Sequence, residues 1–341
     1  MIIEEHNTDN KVFIVAEIGN NHEGQFDVAM DLVRKAAESG ADAVKFQTFI
    51  PERYVSAVFD PERIKTLQRF QLSIEEFTRL KEEAENLGMV FFSTPFDLES
   101  AKQLNNIQSI FKISSGDNNF TELVSLVAGF NKNLIISTGM CSTVEIDSVY
   151  KMVIKKWNDM TDVAVKPALA FMHCVSSYPV PPEMANLKAI TAMKERYPNA
   201  VIGYSDHVPG INSCIVAVAL GARIIEKHFT LDKYYSSFRD HQLSADPDEF
   251  TLMTEAIRDA ENMLGNGEKV LQPCEQNLTI AARRSIAASK DMDKGHVIDA
   301  SSITWVRPGS GIQCGHESEV IGKVLTKAVK DGQILETGDF E

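Results

Sequence analysis

Seven short apolar runs of this chain end on side chains that can bind anions, hold a metal or move protons. Glu17 closes the first, and Lys45 with Gln47 closes the second. Lys112 ends another and is followed by Ser114, Ser115 and Asp117. Ser137 and His173 end two more, Ser205 and His207 follow the next, and Glu226 with His228 finish the last. Lys45 and Lys112 with the hydroxyls of Ser115, Ser137 and Ser205 are the cations and donors that a phosphate or carboxylate needs. No glycine-rich phosphate loop is present, so side chains must do that work. His207 follows Asp206, and His228 sits two residues beyond Glu226. Two neutral imidazoles can share a divalent metal and leave positions open for water and substrate. The competing reading is a hydrogen-bonded core histidine, since no HExxH-type spacing occurs. Residue types alone point to a metal-assisted enzyme acting on a phosphorylated or carboxylated small molecule.

The elements that must position these groups are strands. Val12–Ile18, Ala43–Thr48, Val90–Ser93, Ile110–Ile113, Leu134–Ser137, Ala168–His173, Val201–Tyr204 and Ile224–His228 are short and rich in Val, Ile or Phe. They carry almost no charge before their C-terminal ends, as strands buried on both faces of a parallel sheet do. Amphipathic stretches alternate with them, among them Asp27–Ser39, Ile74–Leu87 and Asp248–Leu264. Ser73 with Glu76 three residues on predicts a capping box, and Gly88 a stop. Eight such units over residues 1–264 fit a (β/α)8 TIM barrel, whose strand C-termini converge on one catalytic rim. A doubly wound open sheet is the alternative, but no GxGxxG motif follows any strand. Alternation along a strand puts Lys45 with Gln47, and Glu226 with His228, on common faces. Residues 265–278 read as a polar linker. Residues 279–341 read as a small, mainly β domain, too short to bury much core unless it leans on the barrel or a partner chain.

The chain has 34 Lys and Arg against 48 Asp and Glu, a net charge of −14. That balance argues against nucleic-acid binding and against docking on anionic membranes. No run of about 18 apolar residues is present to span a bilayer. The N-terminus is polar and acidic, without the pattern of a signal peptide. Five widely spaced cysteines without a CxxC pair predict reduced thiols in a cytoplasmic protein.

The strings AEIGNNHEG (16–24), GADAVKFQT (40–48), STPFD (93–97), FKISSGD (111–117), ISTGM (136–140), HCVSSYP (173–179), GYSDH (203–207) and IEKHFTLDK (225–233) occur in order along the chain. Together they resemble the sialic acid synthase family, which condenses phosphoenolpyruvate with an N-acylated mannosamine-type sugar. ARRSIAASKDMDKG and RPGSGI near the C-terminus resemble that family's SAF, or antifreeze-like, domain. The resemblance implies that His207 and His228 hold Mn2+ or Mg2+. It implies that Lys45, Thr94, Lys112, Ser115, Ser137 and Ser205 hold phosphoenolpyruvate. Glu17, Asp117, Tyr178, Glu226 and Asp240 would then face the sugar and the reacting carbons, with Gln47 beside Lys45 among the substrate-binding groups. Arg283 matches an arginine that reaches the sugar's N-acyl group from the partner's SAF domain, in a domain-swapped homodimer.

Two positions depart from the family pattern. Asp117 stands where some members have Glu, and Phe238–Arg239 precede Asp240 where many have Gly-Pro. The acceptor therefore stays open among N-acetylmannosamine, its 6-phosphate and 2,4-diacetamido-trideoxy hexoses. Competing functions are another phosphoenolpyruvate-condensing barrel that makes deoxy keto-acids, a metal-dependent aldolase or isomerase, and a non-catalytic carbohydrate-binding barrel. None of the rival enzymes calls for a SAF-like tail bearing Arg283.

Overall fold

The computed structural model describes residues 1–161 and 166–341, which fall into two units, Met1–Gly265 and Asn266–Glu341. The first holds eight parallel strands: β1 Phe13–Gly19, β2 Ala43–Thr48, β3 Val90–Pro95, β4 Ile110–Ile113, β5 Asn133–Ser137, β6 Leu169–Cys174, β7 Val201–Asp206 and β8 Ile224–His228. They pair in the order β3-β2-β1-β8-β7-β6-β5-β4. The two end strands pack against each other, and a side chain bridges them. The Gln108 carboxamide accepts from Ser93 N at 2.8 Å and donates to Ser93 O at 3.2 Å. This amide stands in for a backbone ladder rung at the seam and leaves the buried peptide groups of Ser93 satisfied. The eight runs lie where their apolar character predicts, but β6 ends at Cys174 rather than His173, and β7 continues through Asp206.

The main helices of the units are α1 Phe26–Glu38, α2 Ile74–Asn86, α3 Leu98–Leu104, α4 Thr121–Ala128, α5 Thr143–Asn158, α6 Ala189–Arg196, α7 Asn212–Ala219 and α8 Pro247–Leu264. Ser73 and Glu76 form the expected capping box on α2. Period-two alternation sorts each strand's residues into two cores. Ile14, Ala16, Val44, Phe111, Phe171 and Ile225 point outward into the helix layer. Phe13, Val15, Val90, Phe92, Ile135, Met172 and Ile224 fill the barrel interior, joined by Ile3 from a short N-terminal hairpin. The interior is therefore plugged from below. Gly203 makes room for that plug, since a Cβ there would lie 2.5 Å from Met172 Sδ and 2.7 Å from Ile224 O.

The second unit consists of short elements joined by turns. Part of the 265–278 stretch is ordered as a 3₁₀ turn, Pro273–Glu275, leading into helix α9, Gln276–Ala282. Strands β9 Ser285–Ala288 and β10 Ile303–Val306 pair antiparallel. Isolated bridges tie Ala287 to Ile334 and Met292 to Val329. Ile286, Met292, Ile298, Ile303, Val320, Leu325, Val329 and Leu335 form a buried cluster within this unit. The apolar residues of the tail are spaced by turns, not by a helix or strand period, so no sequence window reveals that they meet. Among the described residues no helix is long and apolar enough to cross a membrane.

Candidate functional site

The last inward-facing residue of nearly every barrel strand is polar. Above the apolar plug, Glu17, Lys45, Thr94, Lys112, Ser137, Ser205 and Glu226 face one another and line a cleft of about 770 Å³ at the strands' C-terminal ends. Gln47, Ser115, Tyr178, His207, His228 and Asp240 line the same cleft. Thirteen of the residues singled out in the sequence thus share one space. Asp117 is not among the lining residues; it ends a 3₁₀ turn with its carboxylate accepting from Ser114 Oγ at 2.5 Å. Arg283 belongs to the second unit, where it is exposed at the C-terminal end of α9.

Two carboxylates and two ammonium groups make up the floor. Lys45 Nζ lies 2.7 Å from Glu17 Oε2 and 3.7 Å from Glu226 Oε1. Lys112 Nζ lies 3.2 Å from Glu226. Ser205 Oγ donates to Glu226 at 2.9 Å, and Gln47 Nε2 donates to Glu17 at 3.0 Å. All four charged side chains are buried, so burial is the largest influence on each. For Glu17 it prevails over the Lys45 charge, and the carboxyl is pushed up. For Glu226 burial also pushes upward, but Lys112 and Lys45 together outweigh it and hold the carboxyl well below its ordinary range. Burial lowers Lys112 despite Glu226. In Lys45 the two carboxylates prevail over burial and raise it. Glu226 and Lys45 are the firmly ionised pair, and Glu17 is the carboxyl whose charge is most readily given up.

Three residues lining this space carry buried polar atoms without partners among the described residues: Ser137 Oγ, Asn20 Oδ1 and His228 Nδ1, although Asn20 Nδ2 donates to Gln47. Such atoms are costly unless something else satisfies them. The two imidazoles lie 5.4 Å apart between centroids. His207 Nδ1 donates to Val175 O at 2.9 Å, leaving its Nε2 lone pair free. Burial lowers His228 and keeps it in the neutral form that ligates metals. No group of three or more His, Cys, Asp or Glu with metal-holding geometry occurs among the described residues. His207 and His228 offer two nitrogen donors to a divalent metal, whose other positions would fall to water and substrate.

One sequence expectation needs correction. His173 does not reach the rim: it faces outward, with Nε2 on Ala185 O at 2.8 Å and its ring against Tyr204. The inward residue is Cys174, whose Sγ lies 3.8 Å from His207 Nδ1. Strict alternation from Ala170 through Met172 would have found it. Asp206 also turns away from the cleft and pairs with Lys227 on the outer face. It cannot serve as a metal ligand there.

Other lining residues carry no strand-end signal. Tyr54, Arg63 and Phe70 come from two extra helices, Pro51–Tyr54 and Pro61–Phe70, between β2 and α2. Phe238 meets Phe70 edge-on at 5.1 Å. The Arg63 guanidinium lies over the Tyr54 ring at 5.5 Å and that of Arg239 over Tyr178 at 4.8 Å. Gly139 lets the β5–α5 loop close on Ser115, to which its N–H donates; a Cβ there would lie 2.4 Å from Ser176 Oγ.

Residues 32–269 match the NeuB family and residues 283–341 match the SAF domain. The chain is 35% identical over 338 residues to the N,N'-diacetyllegionaminic acid synthase of Campylobacter jejuni, covering 95% of this chain and 99% of that protein. It is 36% identical to the pseudaminic acid synthase of the same organism, with both chains fully covered. The solved N-acetylneuraminic acid (sialic acid) synthetase of Leptospira borgpetersenii superposes with a TM-score of 0.75 at 33% identity, covering 82% of this chain and 94% of that one. On these matches the chain belongs to the NeuB family, the sialic acid synthase family that its sequence resembles, and carries a SAF domain at its C-terminal end.

Proposed function

We propose that the protein condenses phosphoenolpyruvate with an N-acylated mannosamine-type sugar to a nonulosonic acid, with release of phosphate. The observation that carries this reading is the single rim where two buried lysines, a Ser137 hydroxyl without a partner among the described residues and two imidazoles meet. Lys45, Lys112, Thr94, Ser115, Ser137 and Ser205 hold the phosphate and carboxylate of phosphoenolpyruvate, an anion that two cations and four hydroxyls can desolvate. Tyr178 and Asp240 hold the open-chain sugar so that its aldehyde carbon faces C3 of phosphoenolpyruvate, and that positioning lowers the barrier. His207 and His228 would hold a divalent metal, Mn2+ or Mg2+, which would supply Lewis acidity to the condensation. As the C3–C1 bond forms, cationic character appears at C2, where the Glu226 and Glu17 carboxylates stabilise it. Water adds at C2, giving one proton to Glu17, from which the new C1 alkoxide is protonated, and the C2 hydroxyl gives its proton to the departing phosphate as the C2–O bond breaks. Asp117, tied to Ser114, orients the loop that carries Ser115.

The acceptor end of the cleft is aromatic, with Tyr54, Phe70 and Phe238 on one wall. Both guanidinium groups there are engaged, Arg63 on Tyr54 and Arg239 on Tyr178 and Asp240. This wall suits acetamido and deoxy methyl groups better than a phosphate, and the names of the two Campylobacter relatives support a 2,4-diacetamido-trideoxy hexose as acceptor. The test is phosphate release with phosphoenolpyruvate, manganese and a panel of N-acyl hexosamines, each product identified by mass. The diacetamido sugar is expected to react fastest. Turnover of the 6-phosphate alone would overturn the acceptor assignment, and no phosphate release with any acceptor would overturn the condensation.

Removing either lysine is expected to weaken phosphoenolpyruvate binding by about 1–3 kcal/mol, the range for hydrogen bonds to charged groups. Titration calorimetry on Lys45→Met and Lys112→Met checks it, with sugar affinity expected to change less. Unaltered phosphoenolpyruvate binding in both variants would refute the cradle.

A homodimer with Arg283 acting in trans is the quaternary arrangement we favour. Val270, Leu271, Leu278 and Ile280 leave large apolar surface exposed around α9, a helix with no buried residue. Such surface calls for a cover. Mixing an Arg283→Ala chain with a His228→Ala chain is expected to restore turnover after subunit exchange, because one site then combines an intact barrel with an intact arginine. Verified exchange without recovery would exclude the trans arrangement. The five free cysteines suit a reducing compartment, so we place the reaction in the cytoplasm.

A further inference from the structure

Directly behind the two imidazoles, on the outer face of the barrel wall, lies a buried ion pair that no step above uses. Lys227 Nζ is 2.7 Å from Asp206 Oδ2, with side chains 1% and 0% exposed. Asp206 Oδ1 also accepts from Tyr204 Oη at 2.8 Å and Val208 N at 2.9 Å. Its Oδ2 accepts from Ser213 Oγ at 2.8 Å and Cys214 Sγ at 3.3 Å, both in the first turn of α7. Lys227 Nζ donates a second bond to Val208 O at 2.5 Å. The two residues face each other across the β7–β8 ladder. The next residue on each strand is therefore a histidine: His207 after Asp206, His228 after Lys227.

We propose that the Asp206–Lys227 pair is a positioning device that fixes the separation and aim of His207 and His228 for a shared divalent metal. His207 is bracketed by it. The carboxylate belongs to residue 206 and grips the N–H of residue 208, while the ammonium grips the carbonyl of residue 208. The turn that carries the imidazole is thus held on both sides, and β8 supplies one of the grips. Stability alone does not call for this arrangement, because a buried ion pair is usually no better for folding than an apolar pair of similar volume. A fully satisfied network does specify one geometry. Neither residue lines the cleft, so the pair acts through the histidines, as partners behind metal ligands commonly do.

The inference rests on the metal reading of the preceding subsection, and manganese alone, titrated into the full chain and followed by electron paramagnetic resonance, separates the two. Wild type is expected to bind the ion with an affinity that His228→Ala loses. The double variant Asp206→Leu/Lys227→Met keeps a filled wall without charges. It is expected to melt within a few degrees of wild type, yet to bind manganese roughly ten-fold or more weakly, the usual scale for a lost partner behind a metal ligand. Its phosphoenolpyruvate affinity should hold, and excess manganese should restore turnover. Tyr204→Phe keeps the pair and the volume but removes one bond to Asp206; it is expected to weaken manganese binding to a smaller extent, and it decides the matter if the double variant does not fold. Wild-type manganese affinity in the folded double variant, or in Tyr204→Phe should the double variant not fold, overturns the positioning role and leaves the metal reading standing. A wild-type protein whose manganese binding is indifferent to His228→Ala overturns both.

Discussion

Alanine in place of His228 is expected to abolish manganese binding and to cut turnover by roughly 10²-fold or more, since even partners behind a metal ligand are worth about 10–100-fold. The fold should survive the change. The His228 ring is buried, but its Nδ1 makes no bond among the described residues, so the substitution removes a side chain without orphaning a donor or acceptor there. His207 differs in that respect. Its Nδ1 bonds Val175 O and its backbone carbonyl accepts from Val180 N at 3.0 Å. His207→Ala should therefore lose both the metal and some stability, by about 1 kcal/mol for the part-buried Val175 carbonyl left without its donor. Melting temperature with and without manganese separates the two variants. His228→Ala should keep the melting temperature of the metal-free wild type and no longer respond to the ion, whereas His207→Ala should melt lower under both conditions. Full wild-type turnover after rigorous chelation would refute the metal assignment at this pair.

The reach of sequence reasoning here follows from strand geometry. A barrel strand has two buried faces, so its run is apolar throughout, and a polar residue at its C-terminal end stands out against that background. Glu17, Lys45, Lys112, Ser137, Ser205 and Glu226 were legible for that reason. The same contrast says nothing about which face a strand-end residue takes. His173 and Cys174 are neighbours, and their faces depend on a register that only the interior positions Ala170 and Met172 declare. Asp206 shows the same ambiguity: next to His207 in sequence, it points through the opposite side of the wall. The acceptor wall was hidden for another reason. Tyr54, Arg63 and Phe70 come from a loop insertion with no strand period, and their approach to Phe238 is a tertiary event about 170 residues away in the chain.

Glu17→Gln should lower turnover by about 10²–10⁴-fold, the usual worth of a positioned general base, with phosphoenolpyruvate affinity nearly unchanged. Glutamine keeps the size of the side chain, and its amide oxygen still accepts from Gln47 Nε2, so the local packing is retained. What it lacks is a group that can take a proton. Glu17 and Glu226 share Lys45 between them, yet their environments drive them apart, burial pushing Glu17 up while Lys112 and Lys45 hold Glu226 down. Where two carboxyls diverge in this way, the raised one is the candidate for proton transfer at neutral pH. The sign of the pH dependence follows. A base works when deprotonated, so kcat/KM should fall as pH drops through the raised value of Glu17, an acid limb lying above the ordinary carboxylate range. In Glu17→Gln that limb should vanish, leaving a low rate that is flat across the same interval. Stability should move the other way. A carboxyl raised by folding binds its proton more firmly in the native state, so its contribution is present below the unfolded value and is lost as pH rises through the folded one. A Glu17→Gln enzyme with more than about a tenth of wild-type turnover, or one whose acid limb persists, would assign the proton transfer to a different group.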